Sequence, residues 1–166
     1  MPTSGAAAGT VDGGVFTADT IDFTVAQGVG AENAVVLAGA ELIDIANTVA
    51  GGINAMNTNN NATSITATSA GVGDIAFDQR GIGHLTVTSM SAAQGDIVIS
   101  ADDAITTLAV TTAATIPAAG DIRILARDGN LTVAGSGIAA VGSEAEVVLT
   151  AIGEDGRMTD VAGPFA

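Results

Sequence analysis

Apolar residues recur along this chain in short alternating bursts, and the bursts themselves recur about every 22 residues. One series starts at Ile21, Ile43, Ile65, Leu85, Leu108 and Leu131, in steps of 22, 22, 20, 23 and 23 residues. Within each burst the first and third residues are apolar and the second and fourth are mostly Thr, Asp or Ala, as in Leu85-Thr86-Val87-Thr88. That is the period-two pattern of a strand with one buried face. A second series is interleaved with it, at Ile53, Ile75, Ile97, Ile122 and Val147. Three of its members follow a Gly-Asp pair: Gly73-Asp74, Gly95-Asp96 and Gly120-Asp121. Glycine admits backbone that other residues avoid and aspartate bonds nearby main chain, so this pair marks a corner.

A step of this size signals a stacked repeat. No coil can bury its apolar face alone, so each must lie on the next, about 4.8 Å away. The expected fold is all-β: a right-handed parallel β-helix of about six coils of 20–25 residues. Its inner ranks are expected to be the two series themselves, with Phe23, Ile45, Ala67, Val87, Val110 and Val133 behind the first and Phe77, Ile99, Ile124 and Leu149 behind the second. Residues 1–14, rich in Gly and Ala, read as a flexible arm, 15–152 as the solenoid, and 153–166 as a final turn and tail in which residues 158–161 could form a last strand. The stretch 28–46 reads as strand in preference to a capping helix. Asn57 to Asn61 reads as a polar loop leaving the stack, and residues 113–119, with Pro117, as a long corner.

Composition agrees with a narrow, flat-walled core. There are four Phe and no Trp or Tyr among 166 residues, where a compact globule of this size would hold more aromatic mass. There is no Cys, hence no disulfide framework and no thiolate metal site. Lys is absent too, so the cations are Arg80, Arg123, Arg127 and Arg157 against 18 acidic residues, for a net charge of −14. That balance excludes nucleic acid as a partner, since its binding rests on cationic contacts, and disfavours anionic membranes. No apolar run is long enough to insert in a bilayer. The first residues lack the basic and apolar regions of a secretory leader, and the chain is expected to be a piece of a longer protein or one numbered from an artificial start, the alternative being a cytoplasmic protein.

Segments such as Gly120-Asp121-Ile122-Arg123-Ile124-Leu125-Ala126 followed by Gly129-Asn130-Leu131-Thr132-Val133 resemble the coils of filamentous-haemagglutinin-like adhesins and the repeats of very large bacterial surface proteins. The resemblance spans residues 20–152. It implies a β-helix on a cell surface or in an extracellular fibre, with secretion and anchoring modules outside the repeats.

Three sets of residues are candidates for chemistry. Thr66, Thr68, Thr86, Thr88, Thr111 and Thr132 are expected to face outward, in Thr-x-Thr pairs on the middle coils, as a surface for ice or polysaccharide. The alternative is that Thr is simply a favoured strand residue on a solvated face. Asp74, Asp96 and Asp121 are expected to stack at one corner, where they are the candidates for binding Ca²⁺; the alternative is a corner-forming role. Asp78 and Arg80, on one coil, are the pair a polysaccharide lyase would draw on. His84, the sole histidine, reads as a turn residue facing solvent without catalytic partners. Glycosylation-type triplets begin at Asn61 and Asn130. No cofactor is expected. The reading is a structural module of an extracellular adhesin or fibre, not an enzyme: a stiff acidic rod whose partners are itself, end to end, or neighbouring coils. Ice or polysaccharide binding and a lyase activity are the alternatives.

Overall fold

The computed structural model describes residues 3–7, 9–113, 120–142, 144–153 and 158–160. Among them every regular element is a strand and every strand pairing is parallel. The odd-numbered strands form one sheet: β1 (Thr3–Ala7), β3 (Thr20–Val25), β5 (Leu42–Asn47), β7 (Thr63–Val72), β9 (Leu85–Gln94), β11 (Ile105–Thr112), β13 (Leu131–Ala139) and β15 (Met158–Asp160), stacked in that order. The even-numbered strands form the other: β2 (Val15–Thr17), β4 (Val35–Ala38), β6 (Ile53–Thr58), β8 (Ile75–Arg80), β10 (Ile97–Ala101), β12 (Ile122–Ala126) and β14 (Val147–Ala151). The chain alternates between the sheets, so each coil adds one strand to each. This is a β-solenoid. The six coils of the first series are present, and a further strand lies beyond them at each side.

One terminus differs from expectation. Thr3–Ala7, expected within a flexible arm, is β1 and pairs with β3 from Thr3 beside Ile21 to Ala7 beside Val25. Met158–Asp160 is β15 and pairs with β13, which is the last strand expected within residues 158–161. The stretch 28–46 holds β4 and β5 and no helix. The corner expected around Pro117 lies outside the described residues.

One apolar core fills the space between the sheets. On the even sheet the register is the expected one: Ile53, Ile75, Ile97, Ile122 and Val147 stack, and Ala55, Phe77, Ile99, Ile124 and Leu149 stack behind them. The corner preceding this rank explains the Gly-Asp signature. A Cβ on Gly95 would lie 2.5 Å from the Gly73 carbonyl oxygen, and one on Gly73 would lie 2.3 Å from the Gly51 carbonyl carbon. The coils approach so closely here that only hydrogen fits.

On the odd sheet the expected ranks are displaced. Ile21, Ile43 and Ile65 do stack, but Val87 lies beside Ile65, followed by Thr107 and Val133. Leu85 lies instead beside Thr63 and Ile105, and Ile105 beside Leu131. Leu108, expected in the inner rank, is only half-buried, while Ile105, which the pattern did not single out, is fully buried. The second rank likewise takes Met90 and Ile138 in place of Val87 and Val133. The cause is Thr107, a polar residue in an inner position that hides the start of β11. Register slips between Ile65 and Thr66 and between Thr107 and Ala109 then shift the remainder of each strand.

Polar residues also enter the stack at its corners. Asn57 and Asn59, expected in a loop leaving the stack, are buried, and Asn57 belongs to β6. The Asn57 amide donates to the Ala40 carbonyl at 2.8 Å and to Gln79 Oε1 at 3.0 Å, while its Oδ1 accepts from the Ala40 N–H at 3.2 Å. Asn59 donates to the same carbonyl at 2.9 Å. Where the chain turns, main-chain groups leave the ladders, and these amides supply the partners that burial demands.

Candidate functional site

The three aspartates after the corner glycines do stack. Asp74 Oδ1 accepts the backbone N–H of Asp96 at 2.9 Å, Asp96 Oδ1 that of Asp121 at 2.9 Å, and Asp121 Oδ1 that of Glu146 at 3.0 Å. Each carboxylate thus caps the amide one coil on, which is the corner-forming role. As a Ca²⁺ site the arrangement is poor. Ca²⁺ takes six to eight converging oxygens, whereas these carboxylates are strung out one per coil, and among the described residues no three acidic or histidine side chains converge on a common point.

The six candidate threonines all lie on the outer face of the odd sheet, exposed or half-exposed. Their alignment is not the expected lattice of Thr-x-Thr pairs. Thr86 lies between Ser64 and Thr106, and Thr106 beside Thr132. Thr66 faces Ser89, while Thr68 faces Ser91, which faces Thr111. Thr88 occupies the slip itself, and its hydroxyl meets that of Ser64 at 2.9 Å. The result is one continuous rank of hydroxyls, Ser64, Thr86, Thr106 and Thr132, with a second, displaced rank beside it. Thr106, Ser64, Ser89 and Ser91 were missed because their place depends on the slipped register. His84, half-buried at the corner before β9, joins the continuous rank through a 3.0 Å contact between its Nε2 and Thr106 Oγ1.

The even sheet carries a network that spacing alone did not reveal. Arg127 Nη1 donates to Asp78 Oδ1 at 2.8 Å and to Asp102 Oδ1 at 3.0 Å, and Nη2 donates to Ser100 Oγ at 3.0 Å. Ser100 in turn donates to Asp78 Oδ1 at 2.6 Å, and Arg80 donates to Asp78 Oδ2. The network ties three successive coils together. Burial works to raise the Asp78 pKa, but the hydrogen bonds from Ser100, Arg127 and Arg80 outweigh it and hold the carboxyl below its usual range. Burial likewise works to lower that of Arg127, and its bonds to Asp78 and Asp102 raise it instead. Arg123 pairs with Asp121 at 3.1 Å. Each of the three described arginines is therefore bound to carboxylate, and Arg157 lies outside the described residues.

Shallow depressions flank this network. One is lined by Met56, Ala76, Asp78, Val98 and Ser100, another by Val98, Ser100, Arg123, Leu125 and Val148. Of the glycosylation-type triplets, Asn61 is exposed with its amide on Glu41 Oε1 at 2.9 Å, while its Thr63 is buried against the Ala40 carbonyl.

Compared with protein-family models, with curated proteins and with solved structures, the chain matches none.

Proposed function

We propose that this chain is a structural module, a stiff acidic rod from an extracellular surface adhesin or fibre that continues end to end with further coils or with another copy. The observation that carries the reading is the pair of parallel sheets, in which each strand pairs with the next from β1 to β15 on one side and from β2 to β14 on the other. A force along the axis is borne by every inter-coil hydrogen bond of a layer at once. The aspartate corner ladder and the Arg127 network add side-chain ties between the same coils. A parallel stack is extended through the main-chain groups of an outermost strand. Net charge of −14 keeps such rods apart laterally and soluble. A lyase reading has less behind it: Arg127, held between two carboxylates with its pKa raised, is a poor proton acceptor.

Negative-stain electron microscopy of the purified chain, with and without Ca²⁺, tests the proposal. Straight filaments one solenoid wide, or uniform short rods that join when their concentration rises, are expected. Round particles that never associate would overturn the end-to-end reading.

A further inference from the structure

We propose that the outer face of the odd sheet, from β7 to β13, binds neutral polysaccharide. The first ground is charge. These four consecutive strands contain no acidic or basic residue, in a chain with 18 acidic residues, although charged residues lie on β3, β5, β8 and β12. On the same sheet β3 and β5 carry Asp22 and Asp44, and on the opposite sheet Asp78, Arg80 and Arg123 interrupt the uncharged strands, so the stretch from β7 to β13 is a continuous uncharged surface. Such a wall suits a partner that is itself uncharged, and the surrounding carboxylates would repel a polyanion.

The second ground is hydrogen-bonding chemistry. Ser64, Thr86, Thr106 and Thr132 form a rank along the rod axis, one hydroxyl per coil at about 4.8 Å. Thr68, Ser91 and Thr111 form another beside it. Each hydroxyl offers one donor and two acceptor positions, which matches the hydroxyls of a sugar. Contacts between Ser64 and Thr88 and between His84 and Thr106 hold part of the array in place before any ligand arrives. A single hydroxyl exchanged for water adds little, so binding must sum along the rank, which a polymer chain lying along the axis can do.

The register slips favour a polymer over ice. They leave one rank continuous and displace the next. A flexible chain can follow a single rank, whereas an ice surface demands a planar match in two directions. The proposal goes beyond the rod reading and stands or falls separately from it.

Co-sedimentation with cellulose, chitin and insoluble β-1,3-glucan, with polygalacturonate as the polyanion, is the test. The chain is expected to bind at least one neutral polymer and not polygalacturonate. Thr86→Val with Thr132→Val removes two hydroxyls at nearly constant shape, and Thr111→Glu places a charge on the exposed second rank; each is expected to lower the bound fraction at least tenfold. Val98→Glu, on the opposite sheet, is expected to leave it unchanged, and melting curves establish that every variant is folded. Failure to bind all three neutral polymers, binding indifferent to the odd-sheet replacements, equal binding to polygalacturonate, or thermal hysteresis without polysaccharide binding would each overturn the proposal.

Discussion

The Asp96 backbone N–H donates to Asp74 Oδ1 at 2.9 Å, and Asp96 Oδ1 accepts in turn from Asp121. Acceptor geometry, not charge, is what the corner needs. Asp96→Ala should therefore cost about 1–2 kcal/mol by leaving the Asp121 amide without its partner. Asp96→Asn keeps an acceptor oxygen and removes one of several stacked like charges, so it should match or exceed the wild type. Urea denaturation of the two variants separates these outcomes, and equal losses would show that charge matters instead.

Thr107 is buried with its Oγ1 unpartnered, between Val87 and Val133 in the inner rank. Thr107→Val keeps the shape and removes an unsatisfied hydroxyl, and a gain of about 1 kcal/mol is expected. Thr112 is equally buried, but its hydroxyl donates to the Gly120 carbonyl at 2.9 Å and accepts from the Val141 N–H at 3.2 Å. Thr112→Val should destabilise by about 1–2 kcal/mol. Thermal melts of the pair should move in opposite directions.

Asp78 supplies a pH dependence with a definite sign. Its folded pKa lies below the unfolded value of about 3.9. The stabilisation is thus fully present above that unfolded value and is lost as pH falls through the lower, folded one. Arg127 adds nothing in this range, because its raised pKa lies far above it. Between pH 5 and pH 2 the urea midpoint of Asp78→Asn should fall less steeply than that of the wild type. Parallel declines would remove Asp78 from the explanation.

The Gly-Asp corner makes a steric prediction. Gly95→Ala would put a methyl 2.5 Å from the Gly73 carbonyl oxygen and should cost more than about 2 kcal/mol. Gly9→Ala, with nothing within 4 Å and no positive φ, should be neutral or slightly stabilising. Comparable losses at both sites would mean that the coils are not in close contact at this corner.

The even sheet was readable from the sequence over β8, β10 and β12 because those repeats announce themselves twice, by a Gly-Asp corner and by an apolar first residue, as at Gly95-Asp96-Ile97, and the apolar first residue extends the series to Ile53 and Val147. The odd sheet was readable in kind but not in register. Leu108-Ala109-Val110-Thr111 looks like the strand starts around it, yet β11 begins at Ile105, and Thr107 breaks the alternation that would have shown this. Asn57 and Asn59 were misplaced for the same reason, since buried amides that serve turning backbone look like loop residues in a pattern of polar and apolar letters. The Arg127 network was invisible because Asp78, Ser100, Asp102 and Arg127 lie on three coils and meet only when the register is known.

The in-register stack underlies the rod, the corner ladder and the hydroxyl ranks alike, and it can be measured directly. The chain has no cysteine to remove. Asn54 and Val148 lie on the outer face of the even sheet, in one rank that passes through Ala76, Val98 and Arg123. Spin labels on Asn54→Cys and Val148→Cys are four strand steps apart, and dipolar spectroscopy should return one narrow distribution near about 19 Å. A broad distribution, or a maximum beyond about 30 Å, well past the span of four strand steps, would contradict the stack.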